Sequence, residues 1–401
     1  MTFAVTLTDA ADAGTVGGKA ASLGELARAG VAVPPGFAVT AGAFTAAMAV
    51  LDPDGALRAG IEALPAGDVA GIARFAARLR GIIAEAPLPP GVAAAIEEGY
   101  AALGGTPDVA VRSSATVEDS AEASFAGLQD TYLGVSGAAS VLEHVRRCWA
   151  SMYNDESVAY RRRLGLPEAG VAMAVVVQRM VAPRAAGVMF TRSPVTGDRS
   201  VVAIEGTWGL GSALVSGDVT PDAWVISKVT GEITARRVSP KVKIHGYLPN
   251  GGAADAGGTG VTGGTGVTGG AAEAAGLMGR VTVRDTPDDL REAPCLTDEE
   301  IRALAAVARR VEAHYGTPQD IEWAVLDAPF TQADADSPGP GSPGPGGSGA
   351  GSPGPGGSAE SRVVLLQSRP ETVWAARDPK PAGAPKPRAA DHVLSLFGKP
   401  L

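Results

Sequence analysis

Cysteine is scarce: Cys148 and Cys295 are the only two in 401 residues, far apart and without a Cys-x-x-Cys neighbour. That excludes a disulfide framework and argues against a zinc site, leaving two reduced thiols. Basic charge is not in excess either. The formal net charge is −9, so there is no overall field to hold nucleic acid or an anionic membrane, although a local cationic pocket for a small anion remains open. No stretch approaches the ~18 uninterrupted apolar residues of a membrane span. The first residues, Met1-Thr-Phe-Ala-Val-Thr-Leu-Thr-Asp9, lack a basic segment ahead of an apolar one. Together these absences predict a cytoplasmic protein.

What is present is enough apolar content, 45% of residues, to bury a large core. Glycine and proline, 54 and 30 residues, concentrate in a Gly-Thr-Gly-Val-Thr-Gly repeat over 251–270, within an insertion at 251–272, and in a Ser-Pro-Gly-Pro-Gly repeat over 337–358, within an insertion at 331–361. Neither stretch can offset its ordering entropy by burial, so both are expected to be flexible insertions, as is the Pro/Lys-rich tail 377–401. Helical and extended patterns alternate up to about residue 180, and a β-rich region follows, which divides the chain into expected subdomains 1–180 and 181–376. The spacing predicts one helix from Gly18 to Gly30 and another over 298–315. The second has Thr297 as N-cap, Glu300 closing a capping box and Gly316 as stop. Asp320–Leu326 and Arg362–Gln367 read as strands able to pair as a hairpin whose long connection costs little.

Four constellations could carry chemistry. Val16-Gly-Gly-Lys19 leads into a helix and offers close backbone approach and a point charge for phosphate. It is not a Walker A loop, and a short glycine turn with a surface lysine is the alternative. Arg112 ends a short strand ahead of hydroxyl residues, Gly127 and Thr131, either a phosphate-covering lid or a polar surface loop with a salt-bridged arginine. Gln178 and Met180 stand at the subdomain joint and could meet adenine, or Gln178 is an exposed strand-end residue. In Gln319-Asp-Ile-Glu-Trp323, strand alternation puts Asp320 and Glu322 on one face, as Mg²⁺ ligation requires. Gln367 and Arg369 share a face in the same way. The alternative is the solvated face of an amphipathic hairpin.

These residues resemble a family. GGKAASLGELARAG, VAVRSSATVEDS, VVVQRMV, AGVMFTRSP, WGLG, VTPD, QDIEWAV and LLQSRPETVW occur over about 15–375, in the order found in the ATP-binding region shared by pyruvate phosphate dikinase, phosphoenolpyruvate synthase and rifampicin phosphotransferase. The resemblance implies an α+β ATP-grasp fold in which two subdomains clamp ATP. It implies that Lys19, Arg112 and Arg369 hold the phosphates, with Arg112 and Arg369 the catalytic cations. Gly127 and Thr131 would belong to the phosphate loop, and Gln178 would contact adenine. Asp320, Glu322 and Gln367 would hold Mg²⁺. Relatives commonly carry Glu where Ser212 stands, a position to which the resemblance gives a ribose or metal role, and Glu205 lies close enough in sequence to compensate. The family also passes its phosphoryl group to a histidine in a segment like TSHAAI, whereas His144, His245, His314 and His392 lie in other contexts. The resemblance therefore implies a stand-alone phosphotransferase subunit that releases AMP and phosphate and phosphorylates a separate phosphohistidine protein. A kinase or ATPase producing ADP, and a nucleotide-binding regulatory module without turnover, are the other readings.

Overall fold

The computed structural model describes residues 2–65, 67–115, 119–120, 123–124, 130–247, 280–331 and 358–375. Gly127, the insertion at 251–272, most of that at 331–361 and the tail from 377 lie outside the described residues. The chain opens with β1 (Ala4–Thr6), α1 (Ala13–Arg28) and β2 (Gly36–Val39). It continues through α2 (Ala41–Leu51), α3 (Ala56–Ala63), α4 (Val69–Glu85) and α5 (Pro90–Ala102) to β3 (Val109–Ala115). The short strands β4 (Asp119–Ser120) and β5 (Ala123–Ser124) pair with each other. After β6 (Thr131–Val135), α6 (Ala138–Ser151), α7 (Asp155–Arg163) and β7 (Met173–Arg179), an antiparallel sheet of order β1-β2-β7-β3-β6 is complete.

The second half begins with β8 (Ala185–Phe190), β9 (Val201–Trp208), α8 (Ser212–Val215), β10 (Asp222–Ser227) and β11 (Ile233–Arg237). Next come a hairpin of β12 (Lys243–Tyr247) and β13 (Val281–Asp285), then α9 (Asp288–Arg291) and α10 (Asp298–Tyr315). β14 (Gln319–Val325) and β15 (Val363–Pro370) close a second antiparallel sheet, β11-β10-β9-β8-β14-β15. Ala359–Arg362 forms a 3-10 turn that feeds β15. The described architecture is α+β.

Helix α10 forms because its ends are closed locally. Thr297 Oγ1 accepts from the Glu300 backbone N–H at 3.3 Å, and the Glu300 carboxylate accepts from Thr297 N–H at 2.9 Å, so two orphan donors are satisfied reciprocally. Gly316 ends the helix in the left-handed region at φ 69°. Its apolar stripe, Ile301, Leu304, Ala308 and Val311, is fully buried in one core with Ile321 and Trp323 of β14, each large side chain contributing about 1.5–3 kcal/mol by leaving water. Arg184, just ahead of β8, places Nη2 at 2.7 Å from both Glu300 oxygens, which locks the helix start to the sheet.

Helix α1 joins the two sheets. Its course breaks at Gly17, whose φ of 76° is non-helical. There the backbone passes so close to β3 that an added Cβ would lie 2.1 Å from the Ser114 carbonyl oxygen. Ser114 exploits that approach: its hydroxyl donates to Val16 C=O at 3.0 Å and accepts from Ala20 N–H at 3.3 Å, capping the second part of the helix from another strand. Farther along, Ser22 Oγ donates to Ser368 C=O on β15 at 2.7 Å. One helix is thus tied to a strand in each sheet. Gly17→Ala is expected to lower unfolding stability by about 2–4 kcal/mol through strain and overlap with Ser114, read from the midpoint of urea denaturation. An unchanged midpoint would refute this account of the turn.

Candidate functional site

The hairpin of β14 and β15 turns strand alternation into a paired array. Asp320 stands opposite Arg369 and Glu322 opposite Gln367, with a register shift just after Glu322. Residues directly opposed across antiparallel strands share a face, so all four lie on one side of the sheet while Ile321 and Trp323 are buried in the core on the other. The row continues sideways. Glu322 opposes Val188, Val188 opposes Glu205, and Glu205 opposes Ala223. Two inter-strand spacings, roughly 10 Å, therefore separate the Glu322 and Glu205 strands.

Arg112 meets this array from the other sheet. Its Nη2 donates to Glu322 Oε2 at 2.6 Å and Gln367 Oε1 at 2.7 Å, and its Nη1 donates to Leu366 C=O at 2.8 Å. The guanidinium is 11% exposed, so these charge-assisted bonds act in a poorly screened setting. Burial pushes the Glu322 carboxyl upward, but the charge and hydrogen bond of Arg112, aided by Lys19 and Arg369, outweigh it and hold Glu322 below the ordinary carboxylate range. Asp320 is the opposite case. Burial pushes it up to about 6, against the pull of Arg369 and with help from Glu371. Arg369 Nε stays 3.7 Å from Asp320 Oδ2, and Asp320 Oδ1 is buried with no hydrogen-bond partner among the described residues.

The other expected residues divide. Lys19, in the first turn after the Gly17 break, is half-buried and close enough to Glu322 to lower its proton affinity. Thr131 lies on β6 directly opposite Arg112. Gly127 lies outside the described residues. Gln178 is not an exposed strand-end residue: it lies within β7, fully buried, and its amide donates to Pro34 C=O at 3.1 Å. It shares a face with Arg112, because Val176 opposes Arg112 and Gln178 is two residues farther on. Met180 N–H is tied to Asp108 C=O at 2.9 Å. Sequence reasoning missed Ser114, Leu366 C=O and Glu371, which shape the site through helix capping, a backbone acceptor and charge. Only the run of hydroxyl residues after Arg112 hinted at Ser114.

An arginine, a lysine and paired carboxylates gathered between two sheets make an anion site with oxygen donors beside it. The sequence model of the family described as "Pyruvate phosphate dikinase, AMP/ATP-binding domain" matches residues 13–255 and 272–389, and the chain belongs to that family. A rifampicin phosphotransferase of a Streptomyces species is 44% identical over 325 residues, covering 80% of this chain and 34% of the relative. A probable phosphoenolpyruvate synthase of Methanothermobacter thermautotrophicus is 40% identical over 321 residues, 79% of this chain and 42% of the relative. Another from Staphylothermus marinus is 38% identical over 373 residues, 91% and 40% respectively. The chain thus spans less than half the length of these relatives. No helix among the described residues is long and apolar enough to cross a membrane.

Asp320 gives the site a measurable signature. Its folded carboxyl holds the proton more tightly than the unfolded one, whose value is 3.8. Its contribution to stability is therefore full below that value and is lost as pH rises through about 6. In EDTA, Asp320→Asn should exceed the parent in stability near neutral pH by about 1–2 kcal/mol and match it near pH 4, measured by urea denaturation. Equal stability of the two proteins at neutral pH would show that Asp320 ionises without cost.

Proposed function

We propose that the two sheets form an ATP-grasp clamp, with subdomains 1–180 and 181–376, and that it transfers a phosphoryl group from Mg-ATP. The observation that carries this reading is the bridge from Arg112 in one sheet to Glu322 and Gln367 in the other, made at the place where Lys19 and Arg369 also converge. Phosphoryl transfer asks a protein mainly for positioning and charge neutralisation, and this junction supplies both. A phosphate arriving between the sheets competes with Glu322 and Gln367 for Arg112 Nη2. Glu322 is then released for other work while Arg112 can keep its bond to Leu366 C=O. Lys19 and Arg369 add positive charge, Gln178 and Met180 would meet the base, and Thr131, with Gly127, would belong to the phosphate loop.

The donor set fits Mg²⁺. Glu322, Gln367 and Asp320 offer only oxygen, and the orphaned Asp320 Oδ1 is a ready acceptor. Among the described residues no cluster of three or more His, Cys, Asp or Glu could hold a metal alone, which suits an ion that takes one or two carboxylates and completes its shell with water and phosphate. When bound, Mg²⁺ neutralises phosphate charge. Asp320 contributes as a ligand only once its proton has left.

The acceptor we propose is a histidine on a partner protein, with AMP and phosphate as the other products. Of the described histidines, His144 and His245 are buried, and His314 is tied to Glu25 at 2.9 Å. A chemically defined test follows the label from β- and γ-labelled ATP with and without a partner bearing a phosphoacceptor histidine. AMP formation and β-label on that histidine are expected. ADP as product would replace the reading with a direct kinase or ATPase, and tight Mg-ATP binding without turnover would replace it with a regulatory module. Glu322→Gln should weaken Mg-ATP binding about 10–100-fold without weakening metal-free ATP, because the amide cannot replace the ionised ligand and competes less strongly for Arg112.

A further inference from the structure

The hairpin of β12 and β13 is rooted in the second half of the chain. Lys241, at the approach to β12, is fully buried against Asp222 at 2.7 Å, and Asp222 also accepts from Ser239 N–H and Cys295 N–H, both at 2.9 Å. His245 is completely buried within the trio Ser212–His245–Asp218, with Ser212 Oγ 2.9 Å from its Nδ1 and Asp218 Oδ2 3.0 Å from its Nε2. Leu210 N–H donates to His245 C=O at 2.8 Å. Lys241, Asp222 and Asp218 thus all have partners at this root.

The far end of the hairpin is held differently. Tyr247, the last residue of β12, stands opposite Val281, and Arg280 immediately precedes β13. Both meet a single side chain of the first half, Asp108, the residue before β3. Tyr247 Oη donates to Asp108 Oδ2 at 2.9 Å, and Arg280 Nε lies 3.3 Å from Asp108 Oδ1. The Asp108 side chain is wholly buried, yet Oδ1 accepts no hydrogen bond among the described residues, so Arg280 pairs with it in charge without the alignment of a bond. Burial, with the charge and hydrogen bond of Asp108, holds the Tyr247 phenol above its ordinary range against Arg280 and Arg179, which keeps it a donor. The hold of Asp108 on the hairpin is thus one hydrogen bond and one unaligned ion pair. A firm root with a lighter far contact is the build of a strap that can lift.

Position gives the strap its work. Asp108 C=O accepts from Met180 N–H at 2.9 Å, Val109 opposes Arg179 and Ala110 opposes Gln178. The catch therefore stands at the side of the cleft proposed for the base. Arg112 is four residues farther along, roughly 13 Å in an extended chain, and its bridge to Glu322 and Gln367 also ties the two halves directly. A phosphate that takes Arg112 Nη2 loosens that bridge, whereas nothing in the nucleotide reading competes for Asp108. We propose that Asp108 is a positioning residue that holds the β12–β13 hairpin across the base side of the cleft, and that release of this catch sets how fast a bound nucleotide leaves. This rests on the nucleotide reading above.

The test follows dissociation of N-methylanthraniloyl-ATP from the full chain by stopped-flow fluorescence in excess ATP. Tyr247→Phe removes the donor and keeps the ring, so dissociation should quicken about 5–10-fold while association changes less than about twofold. Asp108→Asn keeps an acceptor for Tyr247 but no charge for Arg280, and should quicken dissociation as well. Lys243→Ala is the control: it removes a partly exposed ion pair with Asp285, 2.7 Å long, at the root end of the same hairpin, and should leave both rates as in the parent. Loss of structure alone lowers the fraction of protein that binds and does not speed release from the rest. Dissociation from Tyr247→Phe at the parent's rate overturns this inference alone. So does an equal rise in Lys243→Ala, which would mean general loosening of the hairpin. Failure of the parent to bind the nucleotide overturns the nucleotide reading and this one with it.

Discussion

The three hydrogen bonds of Arg112 tie the site together. A guanidinium can serve Glu322, Gln367 and the Leu366 carbonyl at once only because its donors form a rigid planar fork. For the fork to reach, β3 must face the hairpin of β14 and β15 across the thickness of one helix. Helix α1 is that spacer, capped by Ser114 from the first sheet and held by Ser368 of the second. The glycine at position 17 is needed because no side chain fits between α1 and β3. Lys19 arrives beside Arg112 as a result of the same turn. Cation placement and sheet separation are therefore one constraint.

The ion pairs fall into two kinds. Lys241–Asp222 and Arg161–Glu168 are almost wholly buried, and in each the carboxylate oxygens accept hydrogen bonds. Such pairs fix geometry, and breaking one leaves a charge stranded. At the candidate site the pairing is incomplete. Among the described residues, Asp320 has a buried oxygen without a hydrogen-bond partner, and so does Glu371, with Arg192 at 3.8 Å from it. Burial, with the nearby Glu371, raises the proton affinity of Asp320, and a carboxylate short of donors gives a place for an added cation. The Asp of the VTPD segment, Asp222, belongs to the first kind, and its work is to anchor the approach to β12.

Alternation over residues 319–323 was enough to put Asp320 and Glu322 together and Ile321 and Trp323 beneath them, because a two-residue period is local information. The capping box of α10 was legible for the same reason. Gln178 was not, since its burial depends on Pro34, far back in the chain. Ser114 and the Ser212–His245–Asp218 trio share that difficulty: each acts through partners on other elements, and no spacing rule connects them. The resemblance carried the residues that would touch nucleotide, while the residues that hold those in place needed coordinates.

The inner face of the second sheet shows why motifs far apart belong together. Trp323 is fully buried, directly opposite Gly187, which in turn opposes Gly206. An added Cβ at Gly187 would lie 2.8 Å from the indole, and one at Gly206 would lie 2.9 Å from it. Glycine at both positions clears a shelf two strands wide for the ring. The indole therefore packs directly against β8 and β9, and close packing leaves little freedom for β14 to shift. On the opposite face the same registers deliver Glu322, Val188 and Glu205 in line. Since a slip of one residue would exchange the two faces, the tryptophan in its glycine shelf sets which side of the sheet the carboxylates occupy, and so keeps Glu322 within reach of Arg112.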